Sequence, residues 1–133
     1  SEEQVIDCLK AAGADFMGDG TGGELDFFIQ DQGSNLSGGQ KQAVMMARAL
    51  AFNPDVYLFD EPTSAMDGLT EAQVINHLTS HLAGKTLLIV THKMPVVDMC
   101  DRVLVMDEGK IVGDGSKESY FDVLKKRSEQ RQN

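Results

Sequence analysis

Two short apolar runs constrain the fold of this chain more than any other feature. Asp55-Val56-Tyr57-Leu58-Phe59-Asp60 and Thr86-Leu87-Leu88-Ile89-Val90 are too short for helices, almost wholly apolar inside, and bounded by turn signals. That pattern predicts strands buried on both faces of a parallel sheet. Between them, Thr70 to Leu82 reads as an amphipathic helix. Upstream, Ser1 and Gln4 have capping-box spacing, and Val5, Ile6 and Leu9 form an apolar stripe, so Ser1 to Ala12 is expected to be helical. Gly13 to Asn35 is rich in Gly and Asp, with one short apolar patch at Leu25–Ile29, and reads mostly as loop. A helix is expected from Gly38 to about Phe52, with Val44, Leu50 and the methionines inward, stopped by Asn53-Pro54.

Downstream, Met94 to Cys100 reads as a short helix with Pro95 in its first turn. Arg102 to Met106 and Lys110 to Val112 read as strands of a hairpin joined at Asp107-Glu108-Gly109. Lys117 to about Arg127 reads as a last helix. The alternation of helices and strands predicts an α/β layer fold.

Composition narrows the partners. The chain has 133 residues, enough for one domain with a modest core. Its net charge of −9 disfavours a surface that wraps nucleic acid, which needs clustered Lys and Arg. No apolar run is long enough to span a bilayer, and no signal peptide is expected at the start. Work at a membrane would require a span from another segment or chain. Cys8 and Cys100 lie in no metal-like spacing and read as free thiols of a reducing compartment.

Three short motifs carry chemistry. Asp60-Glu61 ends an apolar strand, and ligands of open α/β sheets bind beyond the carboxyl ends of strands. Asp60 there can hold the water shell of Mg²⁺, and Glu61 can orient or deprotonate a water. Taken alone, the pair also fits two solvated charges at a strand end. Ser37-Gly38-Gly39-Gln40 opens a predicted helix, whose unpaired N–H groups and dipole favour an anion. The two glycines would let a phosphate approach the backbone, and Ser37 adds a hydroxyl. The plain alternative is a capping box between Ser37 and Gln40. His92 follows the second apolar strand, at the same end as Asp60, and can donate to a phosphate oxygen or an attacking water; it also fits a structural histidine.

The order of the motifs decides among these readings. Leu36-Ser37-Gly38-Gly39-Gln40, the apolar strand ending Asp60-Glu61, Ser64-Ala65-Met66-Asp67 and Thr91-His92 follow one another as in the ATP-binding cassette (ABC) ATPases, which this chain resembles. From average residue usage, the pentapeptide alone arises by chance in roughly a few per ten thousand chains of this length, and three further motifs stand in register with it. Residues 36–40 match the family's signature motif and Val56 to Asp60 its Walker B strand, with Glu61 as the catalytic carboxylate. Residues 64–67 resemble the D-loop, with Met66 where Leu is usual, and His92 matches the switch histidine. The resemblance covers essentially the whole chain.

The fold it implies is a partial P-loop NTPase-like one, with buried, mostly parallel strands flanked by helices and the P-loop half missing. Residues 1–35 would be the end of the helical subdomain, residues 36–115 the part of the ATPase core with signature, Walker B, D-loop and H-loop, and residues 116–133 a C-terminal helix and tail. The implied cofactors are ATP and Mg²⁺. The nucleotide would lie between two ATPase domains paired head to tail, so that Leu36, Ser37, Gly38, Gly39, Gln40 and Asp67 contact it, or the partner, across the pair. Asp60 would support the metal through water, and Glu61 and His92 would act in hydrolysis. The further partner is a transmembrane domain, and no nucleic acid is expected. Ala11-Ala12-Gly13-Ala14-Asp15-Phe16, Gln32-Gly33-Ser34-Asn35-Leu36 and Asp101 to Asp107 resemble bacterial exporters, the type I secretion exporters most of all. Such a chain would work at the cytoplasmic face of the bacterial inner membrane. The rivals are a non-transport ABC ATPase of DNA repair, chromosome organisation or translation, and a non-catalytic module that offers only its signature face.

A phosphate-binding loop, Gly-x-x-x-x-Gly-Lys followed by Ser or Thr, is absent from the sequence. Gly18 to Gly23 has the spacing, but Glu24 stands where Lys is needed. The same glycines fit Gly-x-Gly-x-x-Gly, without a preceding strand. Gly84-Lys85-Thr86 precedes a strand instead of following one, and Thr79 takes the first glycine position. The expectation is that this chain neither binds nor hydrolyses ATP by itself, and that bare strand edges lead it to self-associate.

Overall fold

Capping fixes where the helices begin. In the computed structural model, residues 1–17, 25–118 and 120 are described. They form two units, Ser1–Thr91 and His92–Asn133. In the first, helix α1 spans Glu2–Ala11, α2 Gly38–Ala51 and α3 Gly68–His81, with strands β1 at Val56–Asp60 and β2 at Thr86–Val90. Ser1 and Gln4 cap α1 reciprocally, as their spacing predicts. Its buried face differs from the expected stripe: Cys8, Ala11 and Ala12 are buried, whereas Val5 is exposed. The small residues face inward because α1 lies close against α2 and α3.

Helix α2 turns Ala43, Met46, Ala47 and Leu50 inward. Met45 is exposed, which corrects the expectation that all its methionines face the core. Successive residues point about 100° apart on a helix, so two adjacent methionines cannot share one face. Asn53 ends the helix with φ 46, a left-handed conformation that Asn tolerates better than most residues. Val74 and Leu78 of α3 complete this core.

Strands β1 and β2 pair in parallel, Val56 opposite Thr86 through Asp60 opposite Val90. The expectation of burial on both faces is corrected. Tyr57 is buried and Phe59, Leu87 and Ile89 half-buried, but Val56, Leu58, Leu88 and Val90 are 55%, 73%, 51% and 59% exposed. In-register parallel pairing puts those four on one face, and among the described residues nothing covers it. The runs are apolar on both faces while protein covers one.

In the second unit, α4 at Met94–Val97 carries Pro95 in its first turn. Strand β3 at Val103–Asp107 pairs antiparallel with β4 at Lys110–Gly115. Glu108 and Gly109 both have positive φ, 46 and 75, which suits the tight turn of a two-residue hairpin loop. Arg102 grips Asp114 across the hairpin through Nε and Nη2, each at 2.7 Å. Most of the helix expected over Lys117 to Arg127 lies outside the described residues.

Candidate functional site

The approach to α2 is set by Asn35. Its side chain accepts from the Gln30 amide at 3.0 Å and donates to the Phe28 carbonyl at 2.9 Å. Leu36, half-buried, follows, and its amide donates to the Gly33 carbonyl. Ser37 then caps α2: its Oγ accepts from the Gln40 amide at 3.2 Å, while Gln40 Oε1 accepts from the Ser37 amide at 2.9 Å. The capping box is therefore present. It leaves the Ser37 hydroxyl proton able to donate, and the amides of Gly38 and Gly39, in the first helical turn, have no intrahelical acceptor. Serine, two glycine amides and the positive end of a 14-residue helix make a site suited to an anion.

Against this helix start packs the turn that follows β1. A Cβ on Gly39 would lie 2.7 Å from the Ala65 carbonyl oxygen, and one on Gly38 3.6 Å from the Ala65 Cβ. Gly39 is thus demanded by contact inside the chain, a reason the sequence alone does not reveal. Gln42 reinforces the contact. Its Nε2 donates to the Glu61 carbonyl and to Ser64 Oγ, both at 2.9 Å, and its Oε1 accepts from the Ala65 amide at 3.1 Å.

The acidic residues divide by position. Asp60 is exposed at the carboxyl end of β1, and Glu61, next to it, is half-buried. Glu61 takes φ 47, which turns the chain out of the strand, and its amide donates to the Val90 carbonyl at 2.8 Å. Asp67 caps α3, accepting from the amides of Leu69 and Thr70 at 3.0 Å and from Thr70 Oγ1 at 2.7 Å. The bonds from the Thr70 amide and hydroxyl, and then that from Leu69, hold its carboxyl below the usual carboxylate range. Between Asp60 and Asp67, the Thr63 hydroxyl donates to Glu71 at 2.5 Å, a buried pair that links the turn to α3.

Ser37, Gly39, Gln40 and Asp67 line one open cleft, with Asp15 and Phe16 on its wall. Asp60 and Glu61 lie outside that lining. His92 is exposed and opens the second unit, two residues after β2 ends. The glycine stretch 18–23 lies outside the described residues. Sequence reasoning passed over Gln42 and the Thr63–Glu71 pair, because their partners come from the fold and no local spacing announces them.

Comparison with known proteins identifies the class. Residues 3–64 match the family model described as ABC transporter. The chain is 40% identical over 116 residues to the alpha-hemolysin translocation ATP-binding protein HlyB of Escherichia coli, covering 86% of this chain and 16% of that protein. It is 40% identical over 121 residues to ABC transporter B family member 15 of Arabidopsis thaliana, covering 90% and 10%. The structure of a bacterial Atm1-family ABC exporter with ATP bound superposes with a TM-score of 0.78 at 33% identity, over 96% of this chain and 22% of that one. This is a mixed α/β segment of an ABC-transporter ATP-binding domain. Within that class it is similar to the type I secretion ATPases and to ABC exporters. The chain spans between about a tenth and a sixth of the length of the curated relatives just described.

Proposed function

We propose that this chain supplies the signature and Walker B side of the ATP site in an exporter that couples ATP binding and hydrolysis to transport across a membrane. The observation that carries the reading is the union of two parts. The anion-suited start of α2 is held against the turn that bears Glu61 and Asp67 by Gly39 and Gln42. A P-loop NTPase-like core would be completed by a phosphate-binding loop, which this sequence does not contain.

In this reading Ser37, Gly38 and Gly39 contact the γ-phosphate of a nucleotide held by a second ATPase domain, paired head to tail. Leu36 and Gln40 shape that contact, and Asp67 carries contacts across the pair. Glu61 orients the hydrolytic water and draws off its proton. The role of His92, donating to the γ-phosphate, rests on the Thr91-His92 motif after β2. Asp60 is a single exposed carboxylate, and that donor set fits Mg²⁺, which binds through few carboxylates and phosphate oxygens and keeps its waters. When bound, the ion would neutralise charge on the phosphates. Phosphoryl transfer depends mainly on positioning and charge stabilisation, so the proposed reaction needs no covalent intermediate. Among the described residues no helix is long and apolar enough to cross a membrane, so the transmembrane partner is a separate element in this proposal.

The test is Glu61→Gln in an ATP-binding domain completed with a phosphate-binding loop. Hydrolysis should fall by on the order of 10²–10⁴ with Mg-ATP still bound. Undiminished turnover would overturn the assignment.

A further inference from the structure

Glu61 has a left-handed backbone, which a side chain other than glycine adopts only when its surroundings hold it there. Its amide is tied to β2 through the Val90 carbonyl at 2.8 Å. Its carbonyl accepts from two donors, the Ser64 amide at 3.1 Å and Gln42 Nε2 at 2.9 Å. The second comes from α2, 19 residues earlier in the chain. The same Gln42 amide group reaches Ser64 Oγ and the Ala65 amide. One half-buried side chain thus makes three hydrogen bonds to three residues of one turn.

We propose that Gln42 is a positioning residue for Glu61: its carboxamide clamps the turn from Glu61 to Ala65 onto α2 and so sets the direction of the Glu61 carboxylate relative to Ser37. The proposal rests on the assignment of Glu61 to hydrolysis. The chemistry explains the residue type. The site needs a donor toward the Glu61 carbonyl and Ser64 and an acceptor toward the Ala65 amide, and a primary amide provides both. Gln42→Glu keeps the acceptor and sets a carboxylate against a carbonyl oxygen. Gln42→Met keeps the length and removes both functions.

Two readouts test it. The first follows the 133-residue chain by backbone NMR. In Gln42→Met, amide exchange at Ala65 should rise roughly tenfold, the loss expected for one hydrogen bond. The Glu61 ¹³Cα shift should leave the left-handed range. In Gln42→Glu the Ala65 amide should stay protected while the Glu61 shift still moves, which also serves if the Met variant fails to fold. A Glu61 shift unchanged in both variants overturns the clamp.

The second readout is steady-state hydrolysis by the completed ATP-binding domain. Both variants should lower kcat roughly tenfold, with KM for Mg-ATP within about twofold, because the clamp acts on the water-orienting group and not on the phosphate contacts. A moved Glu61 shift with unchanged kcat, where Glu61→Gln abolishes hydrolysis, overturns the positioning role and leaves the functional reading standing. Full activity in Glu61→Gln overturns both, and the NMR shifts then report on the hydrogen bonds alone.

Discussion

The α-carbon of Gly39 faces the carbonyl oxygen of Ala65 so closely that a methyl group there would lie 2.7 Å from it. Gly38, one residue earlier, would meet only the Ala65 side chain, at 3.6 Å. Neighbouring glycines of one motif therefore serve different needs, and they should respond differently to alanine. Gly39→Ala forces the 61–66 turn away from α2 and should destabilise the chain by about 1–3 kcal/mol, without any nucleotide present. Gly38→Ala should stay within about 0.5 kcal/mol of the parent. Denaturant titration of both variants checks this, and equal destabilisation would refute the distinction.

Asp67 gives a pH signature. Its folded-state pKa lies below the usual value because the Thr70 and Leu69 bonds favour the carboxylate. The stabilisation is thus present above the unfolded-state value, near about 3.9, and is lost as pH falls through the depressed folded value. The difference in melting temperature between the parent and Asp67→Ala should be constant from neutral pH down to about 5 and shrink below 4. A difference that grows on acidification would contradict the cap.

The thiols should be sluggish. Burial, with Asp7 adding to it, pushes the Cys8 thiol up, and burial, with Asp101, does the same for Cys100. Both are free. At neutral pH each holds less thiolate than an exposed cysteine, so alkylating reagents should react more slowly than with a model peptide. Cys8, the more buried, should be the slower. Mass spectrometry of timed alkylation measures both rates.

The bare face of the β1–β2 pair predicts self-association. Burying one Val or Leu fully is worth about 1.5–3 kcal/mol, and four such side chains stand open there. Sedimentation velocity should show concentration-dependent dimers or larger species, reduced by Leu58→Lys. A strictly monomeric boundary over a wide concentration range would count against it.

How far the sequence reads through to the structure depends on distance along the chain. The capping boxes at Ser1–Gln4 and Ser37–Gln40 and the Glu108-Gly109 turn are local, and their spacing foretells them. The exposure of Leu58 and Leu88 is not local: an apolar run looks the same whether one face or both are covered. Gln42 meets partners 19 to 23 residues away, beyond any periodic signal. The sequence alone reads Gly38 and Gly39 as an approach for phosphate, while the pressure of Ala65 on Gly39 needs the fold. Glu61 was legible as a carboxylate after a strand, and its left-handed backbone was not.

Titration of the chain with Mg-ATP in a calorimeter tests the central claim most directly. The account predicts no binding tighter than about 1 mM, because under the proposed function the Ser37 helix start and Asp60-Glu61 form one side of a site and a separate phosphate loop forms the other. Tight stoichiometric binding would contradict it and would direct attention to Gly18–Gly23 as a phosphate-holding loop.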